Sequence, residues 1–94
     1  DYLNNVPRWS ARFFDDQLLY LPYGQIGKEP LSLLRKIEHH CGLASSEYPQ
    51  AAERVHQTAP LQLPDYVIER LEELAAPQAA FLRSHFGESF YQDT

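Results

Sequence analysis

The stretch QLLYLPYGQIGKEPL, residues 17–31, decides the fold class. Leu18 to Leu21 form an unbroken apolar run, which predicts a short strand over about 17–21, covered on both faces and therefore of the parallel type. Pro30 suits the first turn of a helix, and Leu31, Leu33, Leu34, Ile37 and Cys41 follow at core-facing spacing up to Gly42, where a helix C-terminal glycine belongs. A strand feeding a helix predicts an α/β class rather than a helical bundle. Between the two, Gly24-Gln25-Ile26-Gly27-Lys28 imitates a phosphate-binding loop. Such a loop places four residues between its first glycine and Gly-Lys, and a hydroxyl residue after the lysine. Here only two residues intervene, and Glu29 follows, a carboxylate that would repel phosphate. The stretch therefore reads as a plain strand-to-helix connection, with Lys28 a solvated charge.

Upstream, Tyr2, Leu3, Val6, Trp9, Phe13 and Phe14 recur at helical spacing, and Pro7 either starts that helix or kinks it. Downstream, residues 43–64 are broken by Ser45, Ser46, Pro49, Pro60 and Pro64, although Gln50 to His56 has the length for a helical turn or two. Asp65 then caps a helix with Val67, Ile68, Leu71 and Leu74 on one face. Ala75-Ala76-Pro77 is expected to end it, and Pro77 to start a last helix through Phe81, Leu82 and Phe86, stopped by Gly87.

The 94 residues make one small domain or a piece of a larger one, and at 44% hydrophobic the chain has the material for a core. No apolar run is long enough to span a membrane, and Asp1, Asn4 and Asn5 stand where a leader would be basic. Cys41 is the only cysteine, which excludes an internal disulfide and fits a reducing, cytoplasmic location. Thirteen acids against 8 bases give a net charge of -5, and the bases are scattered, so no nucleic-acid partner is expected. The chain has no methionine and a helical pattern already running at Tyr2, so it is expected to begin inside a longer polypeptide.

Few residues offer chemistry. His39, His40 and Cys41 point about 100° apart in succession on a helix and cannot converge on one metal, so no metal site is assigned. Glu69, Glu72 and Glu73 beside Arg70 read as a solvated helix face, and no catalytic residue is assigned. Arg54, His56, Gln57 and Thr58 differ because they sit in the long irregular segment. Such segments often act as lids, and an arginine among hydrogen-bonding neighbours suits an anionic ligand; the same residues also fit an ordinary polar surface loop.

The order of features carries more than any one of them. Arg8-Trp9, Phe13-Phe14, Asp15-Asp16-Gln17 with Leu18 to Leu21, Glu29-Pro30, Leu33-Leu34, Ile37 and Cys41-Gly42-Leu43, then Leu63-Pro64 and Phe86-Gly87, resemble the C-terminal part of the sulfotransferase family over nearly all 94 residues. The match departs at Tyr23-Gly24-Gln25-Ile26, where that family carries an acidic pair, and at Cys41-Gly42-Leu43, which replaces a Phe-Leu-Gly-Leu helix end. The resemblance implies the C-terminal portion of a P-loop-like domain, residues 1–94, mostly helical with one short strand. It implies transfer of a sulfuryl group from 3′-phosphoadenylyl sulfate (PAPS) to a hydroxyl or amine of a small-molecule or carbohydrate acceptor. It also implies that the donor-binding loop and the catalytic base lie upstream, in the part of the same domain that this segment packs against. Arg54, His56, Gln57 and Thr58 would then close over the cofactor, although the family's Lys-Gly-Arg form is missing there, and Tyr2, Arg8 and Trp9 would wall the acceptor side. The competing class is a non-catalytic helical module that binds a partner chain through its apolar faces.

Overall fold

The computed structural model describes residues 1–94, and it is mostly helical. Helix α1 spans Tyr2–Ser10, a 3-10 turn Asp15–Gln17, α2 Gln25–Lys28, α3 Pro30–Cys41, α4 Asp65–Phe86 and α5 Glu88–Gln92. Asp1 caps α1 by accepting from the Asn4 N–H, and Pro7 sits inside this helix rather than at its start. α3 begins at Pro30 as expected, and it ends in the motif that Gly42 predicts. Gly42 adopts φ 69°, its N–H reaches the His39 carbonyl, and the Leu43 N–H reaches the Glu38 carbonyl at 2.8 Å.

Two expectations need correction. No strand forms over 17–21: Gln17 closes the 3-10 turn, and Leu18 to Pro22 runs on without a turn or a bend. Leu18 is extended at φ -116° and ψ 132°, and Pro22 biases Leu21 the same way. A strand also needs a ladder, and no backbone hydrogen bond joins Leu19, Tyr20 or Leu21 to any other segment. The α/β class therefore does not hold within these residues. Secondly, α4 does not break at Ala75-Ala76-Pro77 but continues for 22 residues through Pro77. Packing of its second half against α1 and α5 holds the helix through the proline, a case of tertiary contact overriding a local penalty.

The contact between α1 and α4 is the centre of the molecule. Val6 and Leu82 are its buried aliphatic side chains, and Pro22 and Glu38 are the other buried residues. The Leu3 N–H, left over in the first turn of α1, donates to Gln78 on α4. Tyr20 stitches the linker onto both helices, its hydroxyl meeting Ser10 Oγ at 3.0 Å and the Val6 carbonyl at 3.3 Å, its ring lying 5.2 Å from Phe86. Phe86 also stacks on Phe90 of α5, across a turn in which Gly87 takes φ 93°.

Much apolar surface stays open. The accessible surface is 8001 Å², against roughly 5,600 Å² for a compact monomer of this mass. The radius of gyration is 16.2 Å, against about 12 Å for a compact domain of this length. Ile68, Leu71 and Leu74, the predicted inner face of α4, are exposed, and so is Cys41, which was expected to face a core. The helical pattern is present, but these positions of α4 remain open to solvent.

Candidate functional site

The irregular segment after α3 folds back along that helix. Arg35 donates to the Ser46 carbonyl at 2.7 Å, and Tyr48, Pro49, Ala51 and Ala52 then face Glu29 to Ser32 at the other end of α3. Hydrogen-bonded turns at Tyr48–Ala51 and Gln50–Glu53 carry the chain onward. Arg54, His56, Gln57 and Thr58 are thereby brought across from Tyr23, Ile26 and Lys28, and the two stretches line one open cleft of about 770 Å³. The phosphate-loop imitation and the segment that carries Arg54, far apart in the sequence, line the same cavity.

The cleft carries charges of both signs, Lys28 and Arg54 against Glu53, and Asp93 is paired to Lys28. It presents the Lys28 ammonium and the Arg54 guanidinium, with hydrogen-bonding groups from His56, Gln57 and Thr58. No hydrogen bond or ion pair inside the chain uses the side chains of Arg54, His56, Gln57 or Thr58, so their polar groups are free for a ligand. His56 adopts φ 55°, the one non-glycine residue of the chain in the left-handed region. Such a backbone is uncommon outside glycine and gathers at binding sites. Glu53 is the acidic residue on the wall, whereas Glu29 faces the neighbouring cavity beside Pro30.

The Lys28 side is fastened by Asp93, which sequence reading missed. Its Oδ1 accepts from Lys28 Nζ at 2.7 Å, its Oδ2 from Gln25 Nε2 at 3.4 Å, and its carbonyl from the Gly24 N–H at 2.5 Å. Lys28 is thus a solvated charge, its side chain 60% exposed, that also forms an ion pair. Nothing in the sequence links positions 28 and 93, which are 65 residues apart. The hydrogen bonds from Lys28 and then Gln25 hold the Asp93 carboxyl below its ordinary range. A depressed carboxyl contributes stability that is present above its unfolded value and lost as pH falls through the folded one. The fastening is therefore expected to persist at neutral pH and to fade only below about pH 4. An NMR titration of the residue 24 amide checks this: Asp93→Asn should remove the acidic inflection, and an inflection unchanged in that variant would refute the assignment.

Tyr2, Arg8 and Trp9 do not line the cleft. Tyr2 and Trp9 share one face of α1, both about half exposed, and Trp9 stacks on Phe13 at 5.8 Å; Arg8 projects about 100° away from Trp9. No group of histidine, cysteine and carboxylate side chains has a metal-binding arrangement. No helix is long and apolar enough to cross a membrane. Comparison with protein-family models, with curated proteins and with solved structures returns no match.

Proposed function

We propose that this chain is the C-terminal part of a sulfotransferase-type enzyme and contributes one wall of the PAPS site. The observation that carries the proposal is the cleft in which Lys28 faces Arg54, His56, Gln57 and Thr58. Its volume lies within the range of nucleotide-sized pockets, and its donor set suits the phosphate end of an adenosine bisphosphate. PAPS supplies the transferable sulfuryl group. The residues of this chain bind and orient its anionic end, while Tyr2, Arg8 and Trp9 are proposed for the acceptor side. The P-loop-like architecture belongs to the same proposal: Leu18 to Leu21, apolar and without a ladder, would pair with a sheet edge supplied by the upstream part of the domain.

Calorimetry with adenosine 3′,5′-bisphosphate on the full-length protein tests this reading. Arg54→Ala is expected to weaken binding about 10- to 100-fold, the loss of one charge-assisted contact to phosphate, and Lys28→Ala by less, because Asp93 already holds that ammonium. A wild-type protein that does not bind the nucleotide rules the enzyme out. The second reading, a helical module binding a partner chain, is favoured by the surplus of about 2,400 Å² of accessible surface over a compact monomer. That reading requires a partner to cover Ile68, Leu71 and Leu74, and it requires no nucleotide.

A further inference from the structure

Glu38 is the one buried charged residue of the chain, only 4% exposed on the inner side of α3. Its Oε1 accepts from Arg35 Nη1 at 2.6 Å and its Oε2 from the Ser46 N–H at 3.2 Å. The same Arg35 nitrogen donates to the Ser46 carbonyl at 2.7 Å, so both backbone polar groups of Ser46 are clamped by one ion pair. Beyond the clamp, Tyr48 lies against the Arg35 guanidinium, 5.8 Å from ring centroid to Cζ, and two turns lead to Arg54. A carboxylate is removed from water only at a cost, which this one offsets with the Arg35 guanidinium on one oxygen and the Ser46 N–H on the other. Helix stability gives no reason for it, because an alanine at that position would serve α3 better.

We propose that Glu38 is the positioning residue for the cleft: by clamping Ser46 to α3, it sets the path of residues 46–58 and holds Arg54 to Thr58 across from Lys28. For what the wall binds, this rests on the reading of the cleft as a nucleotide site; for the placement of the wall it does not. The clamp acts at the start of the segment, and the two turns transmit its position along the chain.

The test measures the gap directly, without nucleotide. Spin labels at Gly27→Cys and Gln57→Cys, in a Cys41→Ser background, report the distance between the walls; position 27 has open space for a side chain. A single narrow distribution is expected with Glu38 present, and a broad one in Glu38→Ala with the helical circular dichroism retained. Glu38→Gln keeps the shape of the side chain but offers one amide oxygen to two donors, and it should broaden the distribution as well. An unchanged distribution in both variants overturns the proposal, and so does a broad one with Glu38 in place. In parallel, Glu38→Ala should weaken adenosine 3′,5′-bisphosphate binding at least 10-fold. Failure of the wild type to bind would sink the nucleotide reading, while the label distances still decide the role of Glu38.

Discussion

Leu82→Ala is expected to remove most of the chain's cooperative stability. Leu82 is 7% exposed on α4, which packs against α1, and Val6 of α1 is the other buried aliphatic side chain. Truncating a buried leucine costs about 2–5 kcal/mol, from lost transfer energy and the cavity left behind. A domain of this size has few such residues over which to spread the loss, and about 1 kcal/mol shifts its melting temperature by roughly 4–8 °C. Thermal unfolding followed by circular dichroism should therefore show a fall of more than 10 °C, or no cooperative transition at all. Leu74→Ala is the control: Leu74 is 60% exposed on the open face of α4 and should change stability by no more than about 0.5 kcal/mol. Equal effects from the two variants would mean that the α1–α4 contact is not the centre of the fold.

The second large effect is expected at Gly24. Its backbone, at φ -61° and ψ -22°, is ordinary helical geometry, so glycine is not required there for conformational reasons. The requirement is spatial, because a methyl group at this position lands on the Asp93 carbonyl oxygen. Backbone yields less readily than a flexible side chain, so Gly24→Ala should push the Asp93 segment away from α2 and break the Gly24 N–H to Asp93 bond. Overpacking of this kind costs about 1–3 kcal/mol. In NMR the residue 24 amide should lose its protection from exchange. Gly27→Ala provides the contrast, since nothing lies near its added methyl, and a glycine-to-alanine change inside a helix is neutral or stabilising by about 0.5–1 kcal/mol. Retained protection in Gly24→Ala would show that the Asp93 segment does not rest on this turn.

The chain illustrates where local reading succeeds. Pro30 at the start of α3, Gly42 in its left-handed terminal turn and Gly87 at the end of α4 were legible because each meets a backbone demand set within a few residues. The cations of the cleft were legible only one by one. The spacing around Lys28 excludes a phosphate wrap by its own loop, but spacing says nothing of what the segment after α3 brings to the same cleft. Asp93 and Glu38 had no signal at all. An aspartate two-thirds of the chain away and a glutamate at a helical position look like surface charges until their partners are known.

The sequence by itself determined the start of α3 at Pro30, its end at Gly42, the end of α4 at Gly87 and the amphipathic stripes, since these follow from steric and hydrogen-bonding preferences of neighbouring residues. Tertiary structure decided the rest. Whether Leu18 to Leu21 becomes a strand depends on a ladder partner, and none lies within these residues. Whether Pro77 breaks α4 depends on what packs beyond it. The cleft exists because Glu38 and Arg35 turn the segment after α3 back toward α2, which joins residues that no local rule connects.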